Sequence, residues 1–252
     1  MLAVDIPRIN VITTGDTADL DQVLQRHAAV FEPELGRFNG PAVRLEIDSP
    51  VAPVFCKPRP VPYALRDRVN NEIDRLQTLG VFKPIAHSDW AAPLVPIVKA
   101  DKHSIRLCGD YKVTINKAAV ADQYAMPKAE DIFARLAGGK TFSKLDFSEA
   151  YAQLVLDEAS QQLAAVNTPK GLFAVTRLPY GTSPSAAIFQ RTLDNLLRDV
   201  PNTAVYIDDI ILAAEDEAQM LHLIDTVLAK LEAAGLRLNK SKCSFMQPSV
   251  TY

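Results

Sequence analysis

Long apolar runs are missing from this chain of 252 residues. Its two most apolar stretches, Ala91–Val98 and Ile210–Ala214, fall well short of the ~20 residues that a membrane helix needs, and the first holds two prolines. Cysteine is scarce. Cys56, Cys108 and Cys243 are an odd count, lie far apart and form no pair at metal spacing, which argues against a disulfide scaffold and fits a reducing compartment. The start, Met1–Ile6, lacks the basic and then apolar layout of a signal peptide, so the expected location is cytoplasmic. Apolar residues are not lacking: at 48% of the chain, with a net charge of only −3, they exclude a disordered protein.

The weakly acidic total hides an uneven distribution. Residues 51–120 carry 11 basic and 6 acidic groups, a net +5 inside an otherwise acidic chain. Such a segment is either a solvated face or a contact for a polyanion.

Residues 1–32 read as a leader with one short helix over Asp19–Phe31, marked by Leu20, Val23, Leu24 and Ala28. Residues 33–62 hold seven prolines. Each fixes φ and lacks a donor, so this stretch must be an extended strap, with short strands such as Ala42–Ile47. Leu65, Val69, Ile73, Leu76 and Leu79 then mark a helix stopped by Gly80. Pro93–Lys99 and Ser104–Leu107 read as a hairpin around Ala100–His103, and Pro127 opens a helix through Leu136. Phe142–Leu145 and Tyr151–Leu156 look like strands, or a strand and its continuation, and Leu163–Asn167 with Leu172–Leu178 like a second hairpin around Pro169–Gly171. Ser183 is the expected cap of a helix beginning at Pro184. The apolar runs Thr203–Tyr206 and Ile210–Ala213 flank Asp208-Asp209, and a last helix through Leu221, Ile224, Leu228 and Leu231 ends at Gly235. Strands and helices mix without strict alternation, which predicts an α+β fold.

Aspartates in apolar surroundings carry the first chemical signal. Asp208 and Asp209 suit a hairpin turn on their own. Their flanks are too apolar for an exposed hairpin, however, and two carboxylates near a core repel unless a cation compensates them. Hard carboxylate oxygens suit magnesium. Asp146 ends the run Thr141–Leu145 and is either an N-cap for the following turn or a further ligand. Lys99 and Arg106 bracket the turn Ala100–His103. They are exposed hairpin charges, or a point charge and a planar fork aimed at one phosphate.

Tyr206-Ile207-Asp208-Asp209 resembles the Tyr-x-Asp-Asp motif of reverse transcriptases. The blocks around it occur in the order found in gypsy-type long-terminal-repeat retrotransposon polyproteins. They are Trp90–Pro93, Arg106–Tyr111, Phe142–Asp146, Leu178–Gly181, Ile188–Arg191 and Leu238–Phe245, together with the strap Pro53–Pro62. A lone Tyr-x-Asp-Asp is a weak signal; six blocks in order are specific. The resemblance spans roughly residues 28–252 and implies RNA-directed DNA polymerase activity, with RNA or DNA template, primer and deoxynucleoside triphosphates as partners. It implies that Asp146, Asp208 and Asp209 hold two magnesium ions, with manganese as a substitute and the Phe147 carbonyl as an added ligand. Lys99 and Arg106 then match the grip on the incoming triphosphate. Tyr151, by itself a buried aromatic, matches a steric gate against the 2′-hydroxyl. Tyr180, Gly181 and Gln190 match the lining of the nucleotide and template pocket. Lys242, by itself a surface lysine, matches a proton donor to pyrophosphate.

The same resemblance predicts a right-hand polymerase arrangement. Residues 63–140 are expected to be the first part of the fingers. Residues 141–252 are expected to be a palm, an antiparallel sheet packed on helices, with the remaining fingers inserted around 157–180. The thumb, ribonuclease H and integrase segments are expected to be absent, as in a piece cut from a larger polyprotein. Two departures from the family pattern, Thr182–Ala187 and the turn Ala100–His103, touch no expected metal ligand. A different class of function stays open: a catalytically inactive retroelement remnant that keeps only a nucleic-acid-binding fold. A viral RNA polymerase palm also pairs aspartates, but the ring of Tyr151 speaks against an enzyme that must admit a 2′-hydroxyl.

Overall fold

The computed structural model describes residues 16–48, 51–99, 101, 104–120 and 124–250. The first part of the expected leader, and the turn Ala100–His103 apart from Asp101, lie outside them. Among the described residues, fifteen α-helices and β-strands follow one another. They are α1 (Asp16–Arg26), α2 (Arg66–Thr78), β1 (Phe82–Pro84), β2 (Ala92–Val98), β3 (Ile105–Gly109), α3 (Ala129–Arg135), β4 (Thr141–Asp146) and α4 (Glu158–Leu163). Then come β5 (Val166–Thr168), β6 (Gly171–Val175), α5 (Ser185–Leu196), β7 (Thr203–Tyr206), β8 (Asp209–Ala214), α6 (Glu217–Ala233) and β9 (Ser244–Gln247). The class is α+β, as the mixed pattern predicts.

Two sheets organise the chain, one in the order β1-β6-β5-β2-β3 and the other β7-β8-β4-β9. In the first, β2 pairs antiparallel with β3 and parallel with β5, the latter only at Ala92 and Pro93. Pro96 can therefore sit inside β2, because no ladder partner from β5 faces its missing donor. In α2, Val69, Ile73 and Leu76 lie at helical spacing and are buried, and Gly80 follows with φ +68°, a turn that favours glycine.

The second sheet is covered on both faces, which is why β8 reads as an almost unbroken apolar run. Leu145, Ile210, Leu212 and Val205 join the main core with Met220, Ile224, Leu228 and Leu231 of α6. Ile211, Ala213 and Ala204 meet Ile132 and Leu136 of the α3 region on the other face. His27, the residue after α1, docks on α6. Its Nδ1 lies 2.6 Å from Glu232 Oε2 and its Nε2 3.1 Å from Asp225 Oδ1.

Four expectations are corrected. Residues 150–153 form a 3-10 turn, not a strand, because Glu149 takes a left-handed backbone (φ 47°) that turns Tyr151 and Gln153 inward. Residues 158–163 are the helix α4, capped by the Asp157 side chain, so the second hairpin is shorter and starts at Val166. Ser183 does not cap α5: the cap position is Pro184, with no side-chain bond, and the Ser183 amide donates to Asn116 Oδ1. The proline-rich stretch forms isolated bridges (Val43 with Leu156, Ile47 with Ala119, Phe55 with Ala91) and not the expected strand Ala42–Ile47. It is tied down further by the Arg37 and Asn39 amides, which donate to the Gly235 and Ala234 carbonyls, and by Leu45, which is buried in the main core. Among the described residues no helix is long and apolar enough to cross a membrane.

Candidate active site

The register of β4 against β8 places Asp146 directly opposite Asp209 and Lys144 opposite Ile211. Side chains alternate along a strand, so Lys144, Asp146, Asp209 and Ile211 share one face of the sheet. Asp208 precedes Asp209 in a two-residue turn, since Tyr206 pairs with Asp209 across β7 and β8. Three carboxylates from two strand ends and one turn thus gather at one edge of the sheet.

That turn is strained. Ile207 has φ +54°, a left-handed backbone that β-branched residues avoid, at a cost of roughly 1–3 kcal/mol. A side-chain clamp holds it. Gln190 of α5 accepts from the Ile207 amide at 2.7 Å and donates to the Val205 carbonyl at 2.9 Å. Gln190 is expected in the nucleotide pocket. It is instead wholly buried beneath the turn, so any effect it has there is indirect.

Two ammonium groups balance the carboxylates. Lys144 Nζ lies 2.7 Å from Asp209 Oδ2, a reach made possible by their diagonal placement on one face, and Lys242 Nζ lies 3.3 Å from Asp146 Oδ1. Burial pushes the Asp146 carboxyl above its usual value; Lys242 opposes this, and the charges of Asp209 and Asp208 add to it. Asp146 Oδ1 is buried, and its polar neighbour is the Lys242 ammonium at 3.3 Å, a long contact. Hard oxygens that repel one another, one of them buried with only a long contact to an ammonium, fit a divalent cation such as magnesium. As the side chains stand, no three metal-type ligands converge among the described residues, because Asp209 leans to Lys144 and Asp146 to Lys242.

An aromatic floor lies beside the carboxylates. Tyr151 stacks on Tyr180 with centroids 4.5 Å apart, and Phe189 packs against Tyr151 at 5.3 Å. The Arg106 guanidinium sits 4.9 Å from the Tyr180 centroid. Arg106 faces Ile97 across β2 and β3, and Lys99 is two residues beyond Ile97, so both cations share one face. Both line a cleft with Tyr180, Glu149 and Arg75, the last bridging to Glu149 at 2.9 Å. Gly181 has φ +93°, and a Cβ there would stand 3.3 Å from the Gly109 carbonyl, so a side chain would be strained and crowded. Phe147 is buried edge-on to Phe189 at 5.4 Å, and its amide approaches the Asp208 carbonyl at 3.4 Å.

The structure therefore brings Asp146, Asp208, Asp209, Lys242, Phe147, Tyr151 and Tyr180 to one region, with Lys99, Arg106 and Gly181 around the adjoining cleft. Lys144 is the residue that motif reading passes over. Its signal was available: two residues before Asp146 in a strand means the same face.

Burial also pushes nearby weak acids up. The Cys243 thiol rises to about 11, opposed by a bond from the Asp146 amide and aided by the charges of Asp146 and Asp209. The phenols of Tyr151 and Tyr180 both rise to about 12, each chiefly by burial and with the Asp208 charge adding to it. For Tyr180, Arg106 pulls the other way. Groups with raised values favour the fold while neutral. Their contribution is complete below the unfolded values of about 8.5 and 10 and is lost as pH climbs through 11 to 12. Melting temperature should fall from about pH 8.5 upward, and Cys243→Ala should soften the first part of that fall. Parallel curves for the two proteins would contradict the burial of the thiol.

A family model described as reverse transcriptase (RNA-dependent DNA polymerase) matches residues 97–252. An uncharacterized Caenorhabditis elegans protein is 35% identical over 248 residues, which are 97% of this chain and 20% of that protein. Two retrovirus-related Pol polyproteins of Drosophila melanogaster are also similar. That from transposon opus is 31% identical, covering 94% of this chain and 24% of its own length; that from transposon gypsy is 32% identical, covering 79% and 20%. The chain thus spans about a fifth to a quarter of these relatives. Among solved structures, the foamy viral protease-reverse transcriptase dRH in complex with double-stranded DNA superposes with a TM-score of 0.88, at 23% identity over 96% of this chain and 43% of that one. The foamy viral protease-reverse transcriptase in complex with RNA/DNA hybrid gives 0.87 over 96% and 33%. These superpositions show the fold.

Proposed function

Since the chain belongs to the reverse transcriptase family, we propose that it is the polymerase part of a retrotransposon polyprotein and carries out RNA-directed DNA synthesis. The observation that carries this reading is the cross-strand pair Asp146–Asp209 with Asp208 in the adjoining turn, beside an aromatic floor and a cleft with two cations. The four-stranded sheet with α3, α5 and α6 acts as the palm. The five-stranded sheet with α2, drawn from residues 66–109 and 166–175, acts as the fingers; α3, expected among the fingers residues 63–140, packs on the four-stranded sheet instead.

In the reaction the primer 3′-oxygen attacks the α-phosphorus of a deoxynucleoside triphosphate, and the bond to the β-phosphate breaks to release pyrophosphate. Asp146, Asp208 and Asp209, with the Phe147 carbonyl, would hold two magnesium ions. When bound, these supply Lewis-acid chemistry at the primer hydroxyl and at the leaving group. Lys99 and Arg106 bind the triphosphate, Arg106 being steadied over Tyr180. Tyr151 and Tyr180 form the floor under the sugar, and the Tyr151 ring excludes a 2′-hydroxyl. Gly181 lets backbone approach closely beside that floor. Lys242 supplies a proton to pyrophosphate.

Primer extension on poly(rA)/oligo(dT) with magnesium tests the reading. Magnesium-dependent incorporation by this chain is the expected result. No incorporation at high protein concentration would favour the inactive-remnant reading.

A further inference from the structure

We infer that Asp194 and Tyr124 are positioning residues for the Asp208–Asp209 turn and act on it through Gln190. The inference rests on the carboxylate site proposed above and adds residues that no motif carries. Asp194 lies one helical turn after Gln190 on α5, so the two side chains meet. Gln190 Nε2 donates to Asp194 Oδ2 at 3.1 Å as well as to the Val205 carbonyl at 2.9 Å. Its Oε1 accepts from the Ile207 amide at 2.7 Å. Both amide N–H groups and the amide oxygen are thus engaged, on a side chain with no exposure to solvent.

Direction is the important property of this arrangement. A flipped Gln190 amide would aim its oxygen at the Asp194 carboxylate and the Val205 carbonyl, and its NH2 at the Ile207 N–H. An ionised Asp194 accepts only, so it forbids the flip. The Tyr124 hydroxyl donates to the same Asp194 Oδ2 at 2.5 Å and fixes that carboxylate, while Arg191 lies 5.9 Å from the Tyr124 centroid. Burial and the bond to Asp194 push the Tyr124 phenol up to about 12, so it remains a donor over the working pH range. The sequence of bonds runs from Tyr124 O–H to Asp194, from Gln190 N–H to Asp194, and from Ile207 N–H to Gln190. It ends on the residue whose left-handed backbone shapes the turn.

Hydrogen–deuterium exchange over residues 203–210 tests this without reference to activity. Asp194→Leu, which removes the acceptor at similar size, should speed exchange of the Ile207 amide about tenfold. Asp194→Asn, which keeps an acceptor for Gln190, should stay within about threefold of the parent. In primer extension normalised to active sites, Asp194→Leu should lower kcat about tenfold and leave the KM for deoxynucleotide within about twofold, because Lys99, Arg106 and Tyr180 are untouched. Tyr124→Phe should show a smaller loss in the same parameter. Unchanged exchange in Asp194→Leu overturns the inference whatever the activity. So does an equal loss in the Leu and Asn variants, which would mark a merely structural role. A parent that extends no primer counts against the polymerase reading, and the exchange measurement still decides the relay.

Discussion

Asp208→Asn is expected to lower primer extension by about 10³-fold or more, a loss of about 4 kcal/mol in transition-state stabilisation. The substitution keeps the shape of the side chain, so the turn should persist. Its amide oxygen is neutral, however, and the amide nitrogen cannot ligate a hard cation. Asp208 is exposed at the tip of the turn and makes no contribution to the core, so melting temperature should change little. Asp146→Asn should be similarly inactive. It also relieves the repulsion and burial that push the Asp146 carboxyl up. Incorporation that survives Asp208→Asn would remove this carboxylate from the chemistry, and a large fall in melting temperature would mark it as structural.

The second large effect is on sugar selection. Tyr151→Ala should reduce the preference for deoxynucleotides over ribonucleotides by one to two orders of magnitude, measured as the ratio of kcat/KM values. The ring is held between Tyr180 and Phe189, so it cannot swing aside for a 2′-hydroxyl. Its removal also opens a cavity, with an expected stability cost of about 3 kcal/mol. Tyr151→Phe separates the two effects: it keeps the ring, and discrimination should match the parent. An unchanged ratio in Tyr151→Ala at a temperature where the protein is folded would remove the residue from this role.

Much of the architecture was legible in local patterns. The stripes Val69–Ile73–Leu76 in α2 and Ile224–Leu228–Leu231 in α6 are buried as their spacing predicts, because helical period is a property of neighbours along the chain. The turn around Asp208-Asp209 was likewise announced by two apolar runs with acidic residues between them. The same local logic failed at Tyr151–Leu156. The largely apolar run suggested a strand, but the left-handed Glu149 and the inward Gln153, whose amide donates to the Ser148 carbonyl at 2.6 Å and the Arg237 carbonyl at 2.8 Å, turn its first part into a 3-10 segment. It failed again at the six-residue α4, too short to display a period.

The sequence by itself determined the kind of chemistry available. Its aspartates, its basic stretch and its motif order depend on residue identity alone. Tertiary structure decided which of those residues meet and what holds them. The β4–β8 register sets Asp146 against Asp209 and leans Lys144 on the latter, although 65 positions separate Lys144 from Asp209 in the chain. Gln190 looked like a pocket residue in the one-dimensional text and became a buried clamp on a strained turn. Contacts of this kind depend on strand pairing and helix packing between distant segments. No periodicity records them, because burial and register are properties of the assembled sheet and not of any one stretch of chain.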